Sequence, residues 1–477
     1  SGNPEVTPAN AVPWGSVPAV YQFQGGDLHG IAQNIDYLVD LGIEVIYLNP
    51  INASLSNHKY DAVDFYHVDP SFGGDAALHE LVAAAHKHDI KIILDASFNH
   101  CYPQFFAFKD LIEKGADSAY ADWFKVYEWP VRAIIRPHLL ENNPNKERFE
   151  NWFNHFKQTS GVPVEIATDE GPLVEPTYEA WYNVLNMPRL QQTNPDTRAY
   201  FLDVAVHWLR EFNVDGWRMD VAQYVVDDFW VDFREVCLAE KPDCYLLAEI
   251  WGDTSHWLQG DMFDATMNYL FRDLCVAYFA QGLLSSQEMV EGLTRLAFLY
   301  APQVAAVNQN LLSSHDVPRF RHLSGEQEER FLLATLFSLT MPGAPSIYYG
   351  DEIGMTGGED PDNRRAFPWH DRDSWDEELR ATVKYLIQLR REYPALRLGR
   401  WRAVWAGKSN DAFAYLREHE GQRVLVVINR GRPLTQAYLP VSAESAAILF
   451  GEADLTLQAD GVVVTNMRPW SGLVVGI

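Results

Sequence analysis

The stretch "GWRMDVAQY", residues 216–224, carries one arginine and one aspartate two positions apart in an otherwise apolar run. Side chains two apart on a strand share a face, so Arg218 and Asp220 point the same way. Similar polar interruptions end other apolar runs: Asp95, Asn99 and His100 in "KIILDASFNH", Glu249 in "CYLLAEIW", and His315 with Asp316 in "NQNLLSSHD". Tyr60 sits in "NHKYD", after a further run. Three of these acids, Asp220, Glu249 and Asp316, without clustered His or Cys, suit either cleavage of a glycosidic bond or binding of a hard metal ion. Splitting a glycoside needs one acid to protonate the leaving oxygen and a second carboxylate at the anomeric carbon. A guanidinium beside Asp220 favours its charged form, which is what a nucleophile requires.

These residues become one site only if the fold brings the run ends together. Short β-branched or aromatic runs alternate with helical patterns from residue 19 onward: "AVYQF", "EVIYLNP", "KIILDASFNH", "DGWRMDVA", "CYLLAEIW", "ATMNYL", "NQNLLSSHD" and "APSIYYGDE". Eight strand–helix units predict an α/β fold, a (β/α)8 TIM barrel over residues 1–100 and 197–395, with chemistry at the C-terminal ends of its strands. An open doubly wound sheet is the competing architecture. The third and fourth strands are separated by about a hundred residues rich in aromatics, Pro and Asn, too long for an ordinary loop. That predicts an inserted subdomain over 101–196. After 395 the pattern changes to paired short strands, as in "DAFAYLREHEGQRVLVVINR", which predicts a C-terminal antiparallel β-sandwich domain over 396–477.

Composition narrows the partners. The 477 residues are 47% apolar and 22% charged, which is globular, with a net charge of −27. That balance argues against nucleic acid, because binding a polyanion needs clustered Lys and Arg. It equally argues against an anionic membrane surface, and no apolar run is long enough to span a bilayer. Fifteen Trp, 22 Tyr and 25 Phe suit a protein that stacks flat, weakly polar rings. Cys101, Cys237, Cys244 and Cys275 lack zinc spacing and are expected as buried free thiols. The chain starts with Ser-Gly rather than Met, so the lack of a leader carries no weight, and the cytoplasm is the expected compartment. His86 and His88, two apart on a helix, read as a solvated helix end rather than a metal pair.

Four segments, "DASFNH", "GWRMDVAQY", "AEIWGD" and "LLSSHDVPR", stand in the order of the four motif regions of the α-amylase family of glycoside hydrolases, which the whole chain resembles. More finely, "NHKYDAVDFYHVDPSFGG", "NMPRLQQTNPD" and "GGEDPDNRRAFPW" are similar to the cyclomaltodextrinase, neopullulanase and maltogenic amylase group. The resemblance implies that Asp220 is the nucleophile, Glu249 the general acid/base and Asp316 the carboxylate that holds the sugar. It implies that Arg218 supports Asp220 and that Asp95 acts behind Arg218. His100 and His315 would bond the reacting sugar and Tyr60 would stack on it. Trp251 would lie on the acceptor side, and Asp360 with Arg364 on the donor side. The implied reaction is retaining hydrolysis of α-1,4-glucosidic bonds in maltooligosaccharides, cyclodextrins or related α-glucans, with transglycosylation as a second outcome. The alternatives are an α-glucosidase or glucan-transferring enzyme of the same family and, more distantly, a non-catalytic sugar-binding relative. No cofactor is required. Structural calcium is not expected, since "YQFQGGDLHG" lacks the calcium loop of many relatives, although Asn99 matches a position that ligates calcium in some. "VAQY" after Asp220 departs from the group's usual residues. The oligomeric state stays open.

Overall fold

The computed structural model describes residues 11–19, 22–141, 143–407 and 411–477. Strands β1 (Val45–Leu48) and β2 (Lys91–Ala96) pair in parallel. A small sheet follows in the long connection, formed by β3 (Ala133–Ile135), β4 (Val164–Ile166) and β5 (Val174–Pro176) in the order β4-β3-β5. The barrel then resumes with β6 (Gly216–Met219), β7 (Tyr245–Ala248) and β8 (Ala265–Thr266), giving the parallel order β1-β2-β6-β7-β8. A parallel bridge from Met267 to Gln309 brings in β9 (Gln309–Leu311), which pairs in parallel with β10 (Ala344–Ser346). Seven of the eight expected strands are thus present in sequence order, all pointing the same way. The expected first strand, "AVYQF", includes Val20 and Tyr21, which lie outside the described residues; Ala19, Gln22 and Phe23 are in no strand.

The local sequence explains these elements. β2 has only its first residue exposed, because helices cover one face and the barrel interior the other. Helix Pro195–Glu211 starts on Asn194, whose side chain accepts from the amides of Asp196 and Thr197, with Pro at its first position. "ATMNYL" yields only a two-residue strand, because Asn268 caps a helix, Tyr269–Cys275. Along β6, Trp217 and Met219 join the main hydrophobic core, packed with Phe98, Phe201, Phe229 and Phe233, while Arg218 faces the barrel interior. Below the rim the interior is filled by Leu247, Met267, Tyr269 and Leu311.

Asp215 anchors the N-terminal end of β6. It accepts from the Ile92 amide and from Lys241, and pairs with His86 at 2.7 Å. His86 is therefore not the solvated residue expected from its helix end. Gly216 has a different reason: a Cβ there would lie 2.2 Å from the Tyr245 carbonyl oxygen.

The C-terminal region is an antiparallel sandwich, as expected. Its strands are β11 (Arg400–Ala406), β12 (Ala412–His419), β13 (Gln422–Asn429), β14 (Leu434–Leu439), β15 (Ala447–Phe450), β16 (Asp454–Gln458), β17 (Gly461–Met467) and β18 (Ser471–Gly476). The sheets β11-β12-β13-β18-β15 and β14-β17-β16 enclose Leu416, Leu425, Val427, Leu439, Val462 and Val464. The outer face of the larger sheet packs on barrel helix Glu328–Thr340 through Phe413, Tyr415, Leu336 and Phe337. All four cysteines are buried and free, and no helix among the described residues is long and apolar enough to cross a membrane.

Gly216→Ala should destabilise the protein by about 3 kcal/mol, since the added methyl meets backbone that cannot rotate away. A denaturant or thermal melt reads this, and an unchanged midpoint would mean that β6 can shift without cost.

Candidate active site

Strand register sets the first contact. Asp95 on β2 is the cross-strand partner of Arg218 on β6, and Arg218 in turn of Leu247 on β7. The Arg218 guanidinium is fully buried. Its Nη1 donates to Asp95 Oδ1 and to Asp220 Oδ1, both at 3.0 Å, and to the Tyr60 hydroxyl at 3.3 Å. Its Nη2 faces Glu249 Oε2 at 3.5 Å and Asp316 Oδ2 at 3.7 Å. Nε points down at Met267 Sδ, 3.3 Å away. One cation therefore gathers four carboxylates from four strand ends.

The lone pairs left over are also occupied. Asp95 Oδ2 accepts from the hydroxyls of Tyr47 at 2.5 Å and Tyr60 at 2.7 Å. The Tyr60 hydroxyl also meets His315 Nε2 at 2.7 Å, and the two rings stack with centroids 5.7 Å apart. His315 Nε2 lies 3.1 Å from Asp316 Oδ2. Burial, with Arg218 beside it, pushes His315 well below the usual histidine range, so the ring is neutral. His100 is likewise held neutral by burial, at about 3. Its ring stacks on Trp181 from the insert, and its buried Nε2 has no hydrogen-bond partner of normal geometry. A ligand hydroxyl is the kind of group that would satisfy it.

Glu249, at the end of β7, is fixed through both oxygens. The Val221 amide donates to Oε2 at 2.8 Å and the Trp251 indole to Oε1 at 2.7 Å. Val221 has φ 43° and ψ 43°, a left-handed conformation that a β-branched residue adopts at a cost of about 1–3 kcal/mol. That turn aims its amide at Glu249. Trp251 is 54% exposed, with one face stacked on Tyr269 at 4.1 Å.

The expected ionisation of Asp220 needs correcting. Arg218 does lower its pKa, but burial comes first and Glu249, Asp95 and Asp316 add to it, so Asp220 is pushed well above the ordinary carboxylate range. Asp95 is raised to about 6 by burial, against the pull of Arg218. Asp316 is raised too, by burial. The physical reason is burial, which the single guanidinium of Arg218 offsets only in part, so these three carboxyls hold a proton more tightly than a free aspartate does.

Asp360 and Arg364 lie at the edge of the cluster, with Arg364 near enough to Asp316 to lower its pKa against the effect of burial. They pair with each other at 3.0 Å, and Arg364 Nε also donates to the His315 carbonyl at 3.0 Å. They flank the site, but they form a loop salt bridge. Sequence reasoning missed Tyr47, His58, Val221 and Met267. Tyr47 could have been found from alternation within "VIYL"; His58, which stacks on Tyr60, lies in the quoted "NHKYD". The Val221 conformation and the Met267 contact have no local signal. A tyrosine pair was missed too: Tyr182 of the insert and Tyr224 after Asp220 share a hydroxyl hydrogen bond of 2.6 Å. Among the described residues no group of three or more His, Cys, Asp or Glu is placed to hold a metal ion. Asn99 Oδ1 accepts instead from Arg189 Nε at 3.1 Å.

Over most of its length the chain is similar to known proteins. Residues 5–385 match the family described as "Alpha amylase, catalytic domain". The chain is 39% identical over 444 residues to a cyclomaltodextrinase of Geobacillus thermopakistaniensis (strain MAS1), covering 93% of this chain and 69% of that protein. It is 37% identical over 478 residues to neopullulanase 2 of Thermoactinomyces vulgaris, covering 99% of this chain and 75% of that one. A solved structure of the cyclic alpha-maltosyl-(1→6)-maltose hydrolase from Arthrobacter globiformis, in complex with cyclic alpha-maltosyl-(1→6)-maltose, superposes with a TM-score of 0.83 at 32% identity. The alignment covers 100% of this chain and 95% of that one. With the family match running through the barrel and the relatives extending over nearly all of the chain, this protein belongs to the α-amylase family of glycoside hydrolases.

Proposed function

We propose that this enzyme hydrolyses α-1,4-glucosidic bonds in maltooligosaccharides, cyclodextrins and related α-glucans with retention of configuration, and that it passes part of the glycosyl group to sugar acceptors. What supports this most is the single buried guanidinium that holds Asp95, Asp220, Glu249 and Asp316 together beneath an exposed tryptophan. Glu249 in its acid form protonates the leaving glycosidic oxygen as Asp220 attacks the anomeric carbon, so the bond to the leaving sugar breaks as the ester to Asp220 forms. Water or a second sugar then gives its proton to Glu249 and displaces Asp220. Asp316 accepts hydrogen bonds from the sugar hydroxyls and favours its distorted form. His100 and His315, both neutral, bond the same sugar, and Tyr60 packs against it. Asp360 and Arg364 border the donor side. The cytoplasm is the compartment we propose, in keeping with four buried free thiols. Neither nucleic acid nor a membrane surface is a partner in this scheme.

Asp220→Asn and Glu249→Gln should each lower kcat by about a thousandfold or more, since each removes a covalent or proton-transfer step. Turnover of maltotriose and a cyclodextrin by variants with wild-type melting temperatures checks this. Activity near wild type in either one would refute the assignment.

The pH profile follows from the raised carboxylates. Asp220 attacks only when ionised, and its pKa is raised, so kcat/KM is lost as pH falls through that raised value. The acid limb should therefore lie above the ordinary aspartate value of about 4. Asp95→Asn removes one negative neighbour and leaves Arg218 more strongly committed to Asp220, so the limb should move to lower pH. Movement to higher pH would contradict the electrostatic account.

Trp251 has two separable parts, an open ring face and an N–H bonded to Glu249. Trp251→Ala should reduce transfer products more than total bond cleavage, because a stacked acceptor competes with water. Trp251→Phe keeps a ring and loses the N–H, so it should lower kcat while holding the transfer ratio. Product analysis on maltotriose, cyclodextrin, pullulan and starch reads both. Equal product ratios in all three proteins would reduce Trp251 to packing, and faster breakdown of starch than of the small substrates would overturn the substrate class.

A further inference from the structure

One side chain of the insert, Arg189, joins three chain segments. Arg189 Nε donates to Asn99 Oδ1 at 3.1 Å, Nη1 to Glu179 Oε1 at 3.0 Å, and Nη2 to the Tyr224 carbonyl oxygen at 2.6 Å. Asn99 precedes His100 in the segment after β2, Glu179 belongs to the insert, and Tyr224 closes the turn that begins after Asp220. The backbone reinforces the junction. Arg189 forms a bridge with His100, the Leu190 amide donates to the Asn99 carbonyl at 2.9 Å, and the Arg189 amide donates to the Glu179 carbonyl at 2.9 Å. The second Glu179 oxygen accepts from Gln191 at 3.1 Å.

An amide oxygen, a carboxylate and a backbone carbonyl from three chain segments make a hard donor set, the kind that ligates calcium. Here all three oxygens already accept from one guanidinium, which carries a permanent positive charge in a planar fork. A divalent ion at the same oxygens would have to displace those hydrogen bonds and sit against a like charge. The calcium that the family resemblance attaches to Asn99 therefore does not fit these residues.

We propose that Arg189 is a built-in substitute for a structural cation, a positioning residue that ties the insert to the barrel and thereby holds His100 and the turn after Asp220. Three bonds to three segments fix what a metal ion would otherwise fix, at a stoichiometry that no chelator can change. Asn99 Nδ2 lies 3.1 Å from His100 Nδ1, so the tether reaches the histidine whose Nε2 is unpartnered. The turn that Arg189 holds through the Tyr224 carbonyl is also the one that aims the Val221 amide at Glu249.

The test compares the full-length wild type with Arg189→Ala and Arg189→Lys, each in EDTA, in millimolar calcium and in millimolar magnesium. Melting temperature and the kcat and KM for maltotriose are read together. The kinetic half rests on the glucan-hydrolase reading; the melting half does not. Wild type should give one melting temperature and one kcat/KM in all three buffers. Arg189→Ala in EDTA should melt several degrees lower and lose about tenfold or more in kcat/KM, since the sugar-binding histidine is no longer held in place. Calcium should restore part of both, because the freed oxygens then form a hard site, while magnesium, which demands stricter octahedral geometry, should restore neither. Arg189→Lys keeps the charge but not the fork, so it should be intermediate and unresponsive to calcium; it carries the test if the alanine variant folds poorly. The proposal is overturned if wild type loses stability or activity in EDTA and regains it with calcium. It fails equally if Arg189→Ala behaves like wild type in EDTA, if its losses are untouched by calcium, or if Arg189→Lys responds to calcium. A wild type that melts as expected but cleaves no glucan would sink the hydrolase reading alone.

Discussion

A fully buried guanidinium is tolerable only where carboxylates and hydrogen bonds surround it, and Arg218 is such a group. Removing it would leave four carboxylates facing one another at the end of a packed barrel. Removing any carboxylate would change the share of the charge that each of the others receives. The barrel supplies the geometry: Asp95 is the register partner of Arg218, and Asp220 lies just past the end of the same strand. Tyr47 and Tyr60 close the remaining lone pairs of Asp95, so the innermost carboxylate is satisfied from three directions. The helices, the lumen packing and the anchor at Asp215 all serve to keep β2, β6 and β7 in that register.

The same cation links the two halves of the proposed chemistry. Nη1 serves Asp95 and Asp220, and Nη2 faces Glu249 and Asp316. In that proposed scheme Asp220 would give up its charge on becoming an ester, just as Glu249 would give its proton to the leaving sugar and gain one. The net charge beside Arg218 is unchanged, and it has only moved from one branch of the guanidinium to the other. A cluster that keeps its total charge needs little rearrangement of its surroundings between the two steps, which is the condition for electrostatic preorganisation.

Much of this was legible in the sequence, for a physical reason. Burial on both faces leaves barrel strands so uniformly apolar that each polar interruption stands out, and alternation then tells which side it takes; Trp217 against Arg218 is the plainest case. Strand ends gave the carboxylates, and the length of the segment after β2 gave the insert. Local pattern does not encode what depends on distant neighbours. The raised pKa of Asp220 turns on its burial and then on how many carboxylates share one cation, which no motif counts. The indole of Trp251 bonds Glu249 because Tyr269 holds its ring, a contact from another strand unit. Arg189 is a single charged residue in a polar stretch until three segments converge on it.

The surface charge and the site charge answer different requirements. A net charge of −27 neither draws in nor repels a neutral sugar. Recognition therefore falls to flat rings and to hydrogen-bond donors and acceptors held in place. The rings sit on different units: Tyr60 on the loop after β1, Trp181 on the insert and Trp251 after β7, each held by a partner ring. A site assembled this way is only as rigid as the joints between its units. Two arginines accordingly hold those joints, Arg218 among the strand ends and Arg189 between insert and barrel.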